Sequence, residues 1–229
     1  MTEPVKTRLY RSALRDEQAR RTRRAILSAA RRLFVARGYA GTTVAAVAAE
    51  AGVAVDTVYA SIGPKAALFR LLYETAISGT EEALPPEERA YVHRIRAAAT
   101  AREKLEVYAA AVAEIAERLA PLDVVLRDAA AGAPELAMLR AEIGARRARN
   151  MRRFAADLAA TGELRPDLGV DELADVVWAT NSAELHAQLV GERGWPPDRF
   201  GRWLADTWCR LFLAVPAGGG EPGSGPSGR

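Results

Sequence analysis

Residues 43–65 constrain this chain more than any other stretch. They read Thr-Val-Ala-Ala-Val-Ala-Ala-Glu-Ala-Gly-Val-Ala-Val-Asp-Thr-Val-Tyr-Ala-Ser-Ile-Gly-Pro-Lys. Val44, Val47, Ala48 and Ala51 recur at i, i+3, i+4 and i+7, which is one face of a short helix. A hydroxyl on Thr42 or Thr43 can cap its start, and Gly52, able to take a positive φ, ends it cheaply. A second helix from about Val55 to Ile62 turns Val58 inward and Thr57, Tyr59, Ala60 and Ser61 outward. Small Ala48 and Gly52 let the two helices cross closely, the spacing of a helix-turn-helix whose second helix enters a DNA major groove. The competing reading is an ordinary αα-hairpin, and the rest of the chain has to decide between them.

Charge distribution favours nucleic acid. The 229 residues carry a net +3. Residues 1–37 hold Lys6 and ten arginines against Glu3, Asp16 and Glu17, a net +8, so the remainder is acidic at −5. A basic leading segment beside the motif is the electrostatic layout of a DNA-binding end on a larger body. No uninterrupted apolar run approaches the roughly 18–20 residues that span a bilayer. No apolar stretch follows the arginines as in a secretory signal, and the single Cys209 cannot form an internal disulfide. A cytoplasmic protein without membrane contact is expected.

Helical periodicity runs throughout, and the expected fold class is all-α. Residues 1–14 lack a sustained apolar period and read as a disordered basic tail. From Arg15, Ile26, Ala29, Ala30, Leu33 and Phe34 mark a helix that Gly38 stops and that closes a three-helix domain over 15–64. Lys65 opens a helix to about Ser78. A connector over Glu81–Glu88 precedes helices at 89–98 and 102–120; Pro121 is read as starting a separate short helix. Longer helices follow at Pro134 to about Ala160, at 170–190 and at 197–215. The body over 65–215 is thus helical, and the Gly/Pro-rich 216–229 reads as a disordered tail.

The motifs over about residues 20–76 resemble the TetR family of bacterial transcriptional regulators. The residues concerned are Ile26-Leu27-Ser28-Ala29-Ala30, Leu33-Phe34, Gly38-Tyr39, Thr42-Thr43-Val44, Ala48, Ala51-Gly52-Val53, Thr57-Val58-Tyr59, and Lys65 ahead of Leu68. Over 80–215 the similarity is architectural. It implies an N-terminal helix-turn-helix domain followed by a larger helical ligand-binding and dimerisation domain. It further implies double-stranded DNA as partner, a homodimer built on the last two helices, and a small-molecule effector. Carried over by position, Thr43, Thr57, Tyr59 and Lys65 would contact phosphates, and Val55, Asp56, Ala60 and Ser61 would face base edges. Many relatives carry an aromatic run after the motif tyrosine. This chain has Ala60-Ser61-Ile62, so base contacts are expected to be few. Trp203, Trp208, Leu211 and Phe212 on the aromatic last helix are the expected dimer-interface residues.

Enzyme chemistry finds no foothold. His93 and His186 stand alone, Cys209 falls on the apolar rhythm of the last helix, and no metal-ligand cluster, phosphate loop or nucleophile elbow is present; no cofactor or metal is expected. Tyr108, Arg127, Phe154, Trp178, Asn181 and His186 are candidates to line an apolar pocket with a few polar groups, or else are core residues. The Arg146–Arg149 run reads as a solvated helix face or a second nucleic-acid patch. The expected function is a ligand-responsive regulator, with repression the family's commoner mode, binding a palindromic operator. The alternative is a constitutive or architectural DNA-binding dimer, distinguishable by whether residues 89–190 enclose a cavity.

Overall fold

The computed structural model describes the backbone of residues 5–214 and the side chains from Arg15 onward. The elements are α1 Val5–Arg37, α2 Val44–Ala51, α3 Val55–Ser61, α4 Lys65–Ser78, α5 Ala90–Ala97, α6 Ala101–Ala130, α7 Pro134–Ala159, α8 Val170–Thr180, α9 Ala183–His186 and α10 Pro197–Phe212. A 3-10 turn, Pro86–Glu88, sits in the connector, and α9 widens into a π-helical turn, Ala187–Glu192. Among the described residues β structure is confined to one isolated bridge, Leu164 to Leu213.

α2 and α3 turn by 102° at their junction, within the range of a helix-turn-helix. Thr43 Oγ1 accepts from the Ala46 N–H at 3.1 Å and caps α2. Gly52 ends it at φ 67°, with the Val53 N–H donating to the Ala48 carbonyl at 3.0 Å. Val44, Val47, Ala48 and Val58 are buried against Ile26, Ala30, Leu33 and Phe34 of α1. The tail expected over 1–14 is instead helical from Val5, and residues 1–4 lie outside the described residues. Residues 5–14 contain no Gly or Pro. Extending an existing helix adds one hydrogen bond per residue fixed, so a nucleated α1 propagates without an apolar face to fasten it.

Two hydrophobic cores share α6 and α7. The first joins α1–α4 to Leu119, Leu122, Val125 and Leu126 of α6 and to Leu136, Leu139 and Ile143 of α7. The second joins α5, α8 and α10 to the opposite ends, Leu105, Tyr108 and Val112 of α6 and Met151, Phe154 and Leu158 of α7. Each long helix therefore runs from the helix-turn-helix side of the molecule into its far body. In α10, Phe200, Leu204, Trp208 and Phe212 form an i+4 stripe that is wholly buried. Gly201 allows close approach to α6, since a Cβ there would stand 3.2 Å from the Ala113 Cβ.

Three boundaries differ from expectation. Pro121 lies inside α6 rather than starting a new helix. Its missing N–H and ring cost about 3 kcal/mol. Leu122 and Leu126, both fully buried on the continuing face, offset that at about 1.5–3 kcal/mol each. The helix expected over 170–190 breaks after Thr180, because Ser182 accepts from the Leu185 N–H at 3.1 Å and starts α9 afresh. Short polar side chains such as Asn181 and Ser182 compete with the helix for backbone groups. The last helix stops at Phe212; Val215 and the tail 216–229 lie outside the described residues.

Candidate functional site

α3 presents one open face. Val55, Asp56, Tyr59 and Ala60 are exposed and Thr57 and Ser61 half-buried, with 51% of Tyr59 accessible. Thr43, Val55, Tyr59 and Lys65 border one shallow depression where α2, α3 and α4 all begin. The starts of three helices therefore border one depression, together with the Thr43 and Tyr59 hydroxyls and the Lys65 ammonium, groups of the kind that meet phosphate oxygens. Because Thr43 Oγ1 accepts from Ala46, its own O–H is left to donate outward. Lys65 is the first residue of α4, where the helix dipole disfavours a cation. Its Nζ lies 4.1 Å over the Tyr39 ring, a cation–π contact that fixes its position. Burial lowers its pKa, and nearby Glu135 opposes that. The Tyr39 O–H donates to Glu135 Oε1 at 3.1 Å, and burial pushes the phenol up to about 12.

Of the arginines on α1, Arg20 and Arg21 fold onto Glu17, and Arg24 bridges Glu17 and Glu81. Arg32 pairs with Glu50 of α2 at 2.9 Å.

Behind this face, between the two cores, lies a cavity of about 1220 Å³. Val112, Ile115, Leu119, Leu126 and Ile143 form apolar wall, and Tyr73 and Ile77 bring α4 into it. On the side of the second core a polar chain crosses it. Arg147 Nη2 donates to Asn181 Oδ1 at 2.5 Å and to the Trp178 carbonyl at 2.8 Å. Asn181 Nδ2 donates to the Tyr108 hydroxyl at 2.7 Å, which donates to Met151 Sδ at 3.4 Å. Tyr73, on the α4 side, donates to Asp123 Oδ1 at 2.9 Å; burial raises the pKa of both groups.

Five of the six pocket candidates, Tyr108, Arg127, Phe154, Trp178 and Asn181, border this cavity. Tyr108 and Phe154 are buried at 4.7 Å ring separation, whereas Arg127 and Trp178 are exposed at the rim. His186 is not there. It is buried edge-on to Phe200 at 5.1 Å, neither ring nitrogen has a partner among the described residues, and burial lowers its pKa. Its position on a four-residue helix after the break at Asn181 rotates it away from the face expected of a continuous helix.

The aromatic residues of α10 also divide. Trp208 is fully buried, stacks on Tyr108 at 5.6 Å and donates its indole N–H to Thr180 Oγ1 at 2.8 Å. Phe212 is likewise in the protomer core, so neither offers surface to a second subunit. Trp203 is half-buried against Trp195, and Leu211 is exposed. The stripe was correctly apolar but is consumed by α6 of the same chain.

Sequence reasoning missed Arg89, Tyr73, Asp123 and Arg147. For Arg147 a signal existed: it stands midway between Ile143 and Met151 at the i+4 spacing, a charged residue on a core-facing line. Among the described residues no group of His, Cys, Asp and Glu could hold a metal, and no single helix is long and apolar enough to cross a membrane.

Residues 26–72 match the family model for bacterial regulatory proteins of the tetR family. Solved structures share the fold at low identity. NalD, the secondary repressor of the MexAB-OprM multidrug efflux pump in Pseudomonas aeruginosa, is 20% identical over 85% of this chain and 98% of its own, with a TM-score of 0.64. A protein from Saccharomonospora viridis in complex with choline is 20% identical over 84% and 98%, with a TM-score of 0.63. SmeT in complex with triclosan is 22% identical over 88% and 98%, with a TM-score of 0.62. No curated protein matches the chain.

Proposed function

We propose that this chain, whose first domain is that of the TetR family of transcriptional regulators, releases an operator when a small molecule fills the cavity. One observation carries the reading: α4 touches both sites. Lys65 at its start borders the depression on the reading face, and Tyr73 and Ile77 near its end line the cavity. Twelve residues of helix separate Lys65 from Ile77, about 18 Å at 1.5 Å per residue. A ligand that displaces the cavity end of α4 displaces Lys65, at the end of the motif, with it.

In this proposal Thr43, Thr57, Tyr59 and Lys65 hold phosphates, and Val55, Asp56, Ala60 and Ser61 face base edges, with apolar contact to thymine methyls the main direct readout. The active species is a homodimer in the cytosol, built on α8–α10 with Leu211 and Trp203 at the contact. It places two α3 helices in successive major grooves roughly 34–36 Å apart. Repression, with release by the effector, is the mode proposed. The ligands of SmeT and of the choline-bound protein support a small-molecule site in this fold. The cavity favours an effector over the constitutive alternative, in which a close-packed body would suffice.

The experiment is selection of bound DNA from a random pool, followed by a compound screen for release. A palindromic product is expected from a dimer. By linkage, ligand and DNA must weaken each other by the same factor. Equal ligand affinity for the free and the DNA-bound protein would refute the mechanism.

A further inference from the structure

We propose that the cavity contains an anion subsite made by Arg89 and Arg147, and that its ligand is an amphipathic organic acid. The inference rests on the small-molecule reading above and names the ligand's class. Seven arginines and four carboxylates border the cavity, so its sign is positive. The more enclosed carboxylates are already engaged: Asp157 with Lys104 at 2.9 Å and Asp123 with the Tyr73 hydroxyl. Glu87 and Glu184 are exposed.

Arg146 is neutralised by Glu74 at 2.6 Å. Arg89 and Arg147 are held by neutral oxygens. Arg89 is buried, and its Nε and Nη2 both donate to the Leu84 carbonyl. Arg147 donates to the Trp178 carbonyl and the Asn181 amide oxygen and lies 5.1 Å from the Trp178 ring. Both guanidinium groups act on the Tyr108 hydroxyl, opposing the rise that burial imposes on it. Arg147 thus stands one amide away from the buried Tyr108 phenol, and Arg89 lines the same cavity. Among the described residues neither has an ion pair, the Asp123 carboxylate that feels Arg147 being hydrogen-bonded to Tyr73 instead. Both keep donors to spare in a partly desolvated site. Removing a charge from water without an opposite charge is costly. A carboxylate supplies paired, charge-assisted hydrogen bonds to a guanidinium.

The cavity sets polar groups beside an apolar wall. Arg147, Tyr108 and Asn181 stand by the second core, whereas Leu119, Leu126 and Ile143 belong to the first. An acid bound head-first at Arg147 lays its apolar body against Val112, Ile115, Leu119 and Ile77, the last of these on α4.

The test uses the purified full-length protein and three probes of equal chain length, decanoate, decanol and decyltrimethylammonium, titrated calorimetrically below their micelle-forming concentrations. Decanoate is expected to bind about tenfold or more tighter than decanol, with the cation weakest. Arg147→Gln, with its melting temperature checked, is expected to bring decanoate to within about twofold of decanol, and Arg147→Lys to keep part of the preference. Decanol or the cation binding as tightly as the acid overturns the anion subsite and leaves the small-molecule reading standing. An acid preference that survives in both Arg147→Gln and Arg89→Gln also overturns it. Failure of all three to bind overturns the amphipathic-acid assignment and leaves the small-molecule reading to the compound screen. Should the variants fail to fold, the ranking of probes on the unmodified protein decides.

Discussion

Tyr73→Phe isolates one bond at the junction of α4 and the body. The Tyr73 hydroxyl donates to Asp123 Oδ1 at 2.9 Å, the phenol is buried and the carboxylate half-buried. Phe keeps the ring's shape, so no packing term enters. A hydrogen bond to a charged group contributes about 1.5–3 kcal/mol; with water able to reach half-buried Asp123, the expected loss is about 1–2 kcal/mol. For a chain of this size that lowers Tm by roughly 2–8 °C. The loss should depend on pH. Burial holds the Asp123 pKa above its ordinary value, and the Tyr73 hydrogen bond pulls it back down. A carboxyl raised in the folded state stabilises most below its unfolded pKa, and that contribution is lost as pH rises through the folded value. Without the hydroxyl the folded value climbs further, so more is lost on the alkaline side. The deficit is therefore fullest on the alkaline side and shrinks as pH falls through the raised folded values of Asp123, below which the carboxyl is protonated in both proteins. Thermal unfolding followed by circular dichroism from the acid to the alkaline side measures it. A deficit that is absent, or equal at both ends, refutes the assignment; adding Asp123→Asn to both proteins should abolish the pH dependence.

Thr43→Ala should lower stability by about 1 kcal/mol through loss of the α2 cap, while Thr43→Asp keeps the cap and the Tm yet weakens DNA binding by repelling phosphate. Thermal melts and binding titrations of both variants separate the two roles. Lys65→Ala should weaken binding to all sequences alike and reduce the slope of log affinity against log salt by about one; a changed sequence preference would place Lys65 at a base instead. Trp208→Ala should cost about 3–5 kcal/mol as a core truncation, seen in the melt. Light scattering that instead showed lost association at unchanged Tm would return Trp208 to a subunit interface.

What the sequence made legible was what short-range rules control. The helix-turn-helix followed from Thr43, Gly52 and a four-residue apolar stripe, and all of these act within one or two turns. α4 was equally readable, bounded by Gly63-Pro64 and Gly79. Where long-range packing overrides a local signal, the reading failed. Pro121 marked a boundary by local rules, yet the buried face at Leu122 and Leu126 carries α6 through it. The stripe on α10 was correctly apolar, but periodicity cannot say whether α6 or a second subunit covers it. Asn181-Ser182 broke a helix that looked continuous and so divided the pocket candidates, leaving Asn181 in the cavity and His186 outside it.

The cavity was the least legible feature because it is a gap between helices, and its polar members come from every helix from α4 to α9. Its position nonetheless follows from how α6 and α7 are used. Each helix is anchored in both cores, so the stretch between the anchors, around Ala116 and Gly144, is spanned rather than filled. α4 borders that stretch and is tied to both helices: to α6 through Tyr73–Asp123, and to α7 through Arg146–Glu74 and Arg70–Glu142. These ties are unequal. Arg70–Glu142 is about half exposed on both sides and contributes at most about 1 kcal/mol. Arg146–Glu74 is 26% and 15% exposed, and removing one partner from so sheltered a pair leaves the other charge poorly solvated. On the proposed mechanism the ligand must therefore work against the sheltered pair and the Tyr73 bond, both beside the cavity, while the exposed pair yields freely. Weakening either sheltered tie should loosen α4 before any ligand arrives, which lowers DNA affinity and shrinks the further loss that ligand can cause.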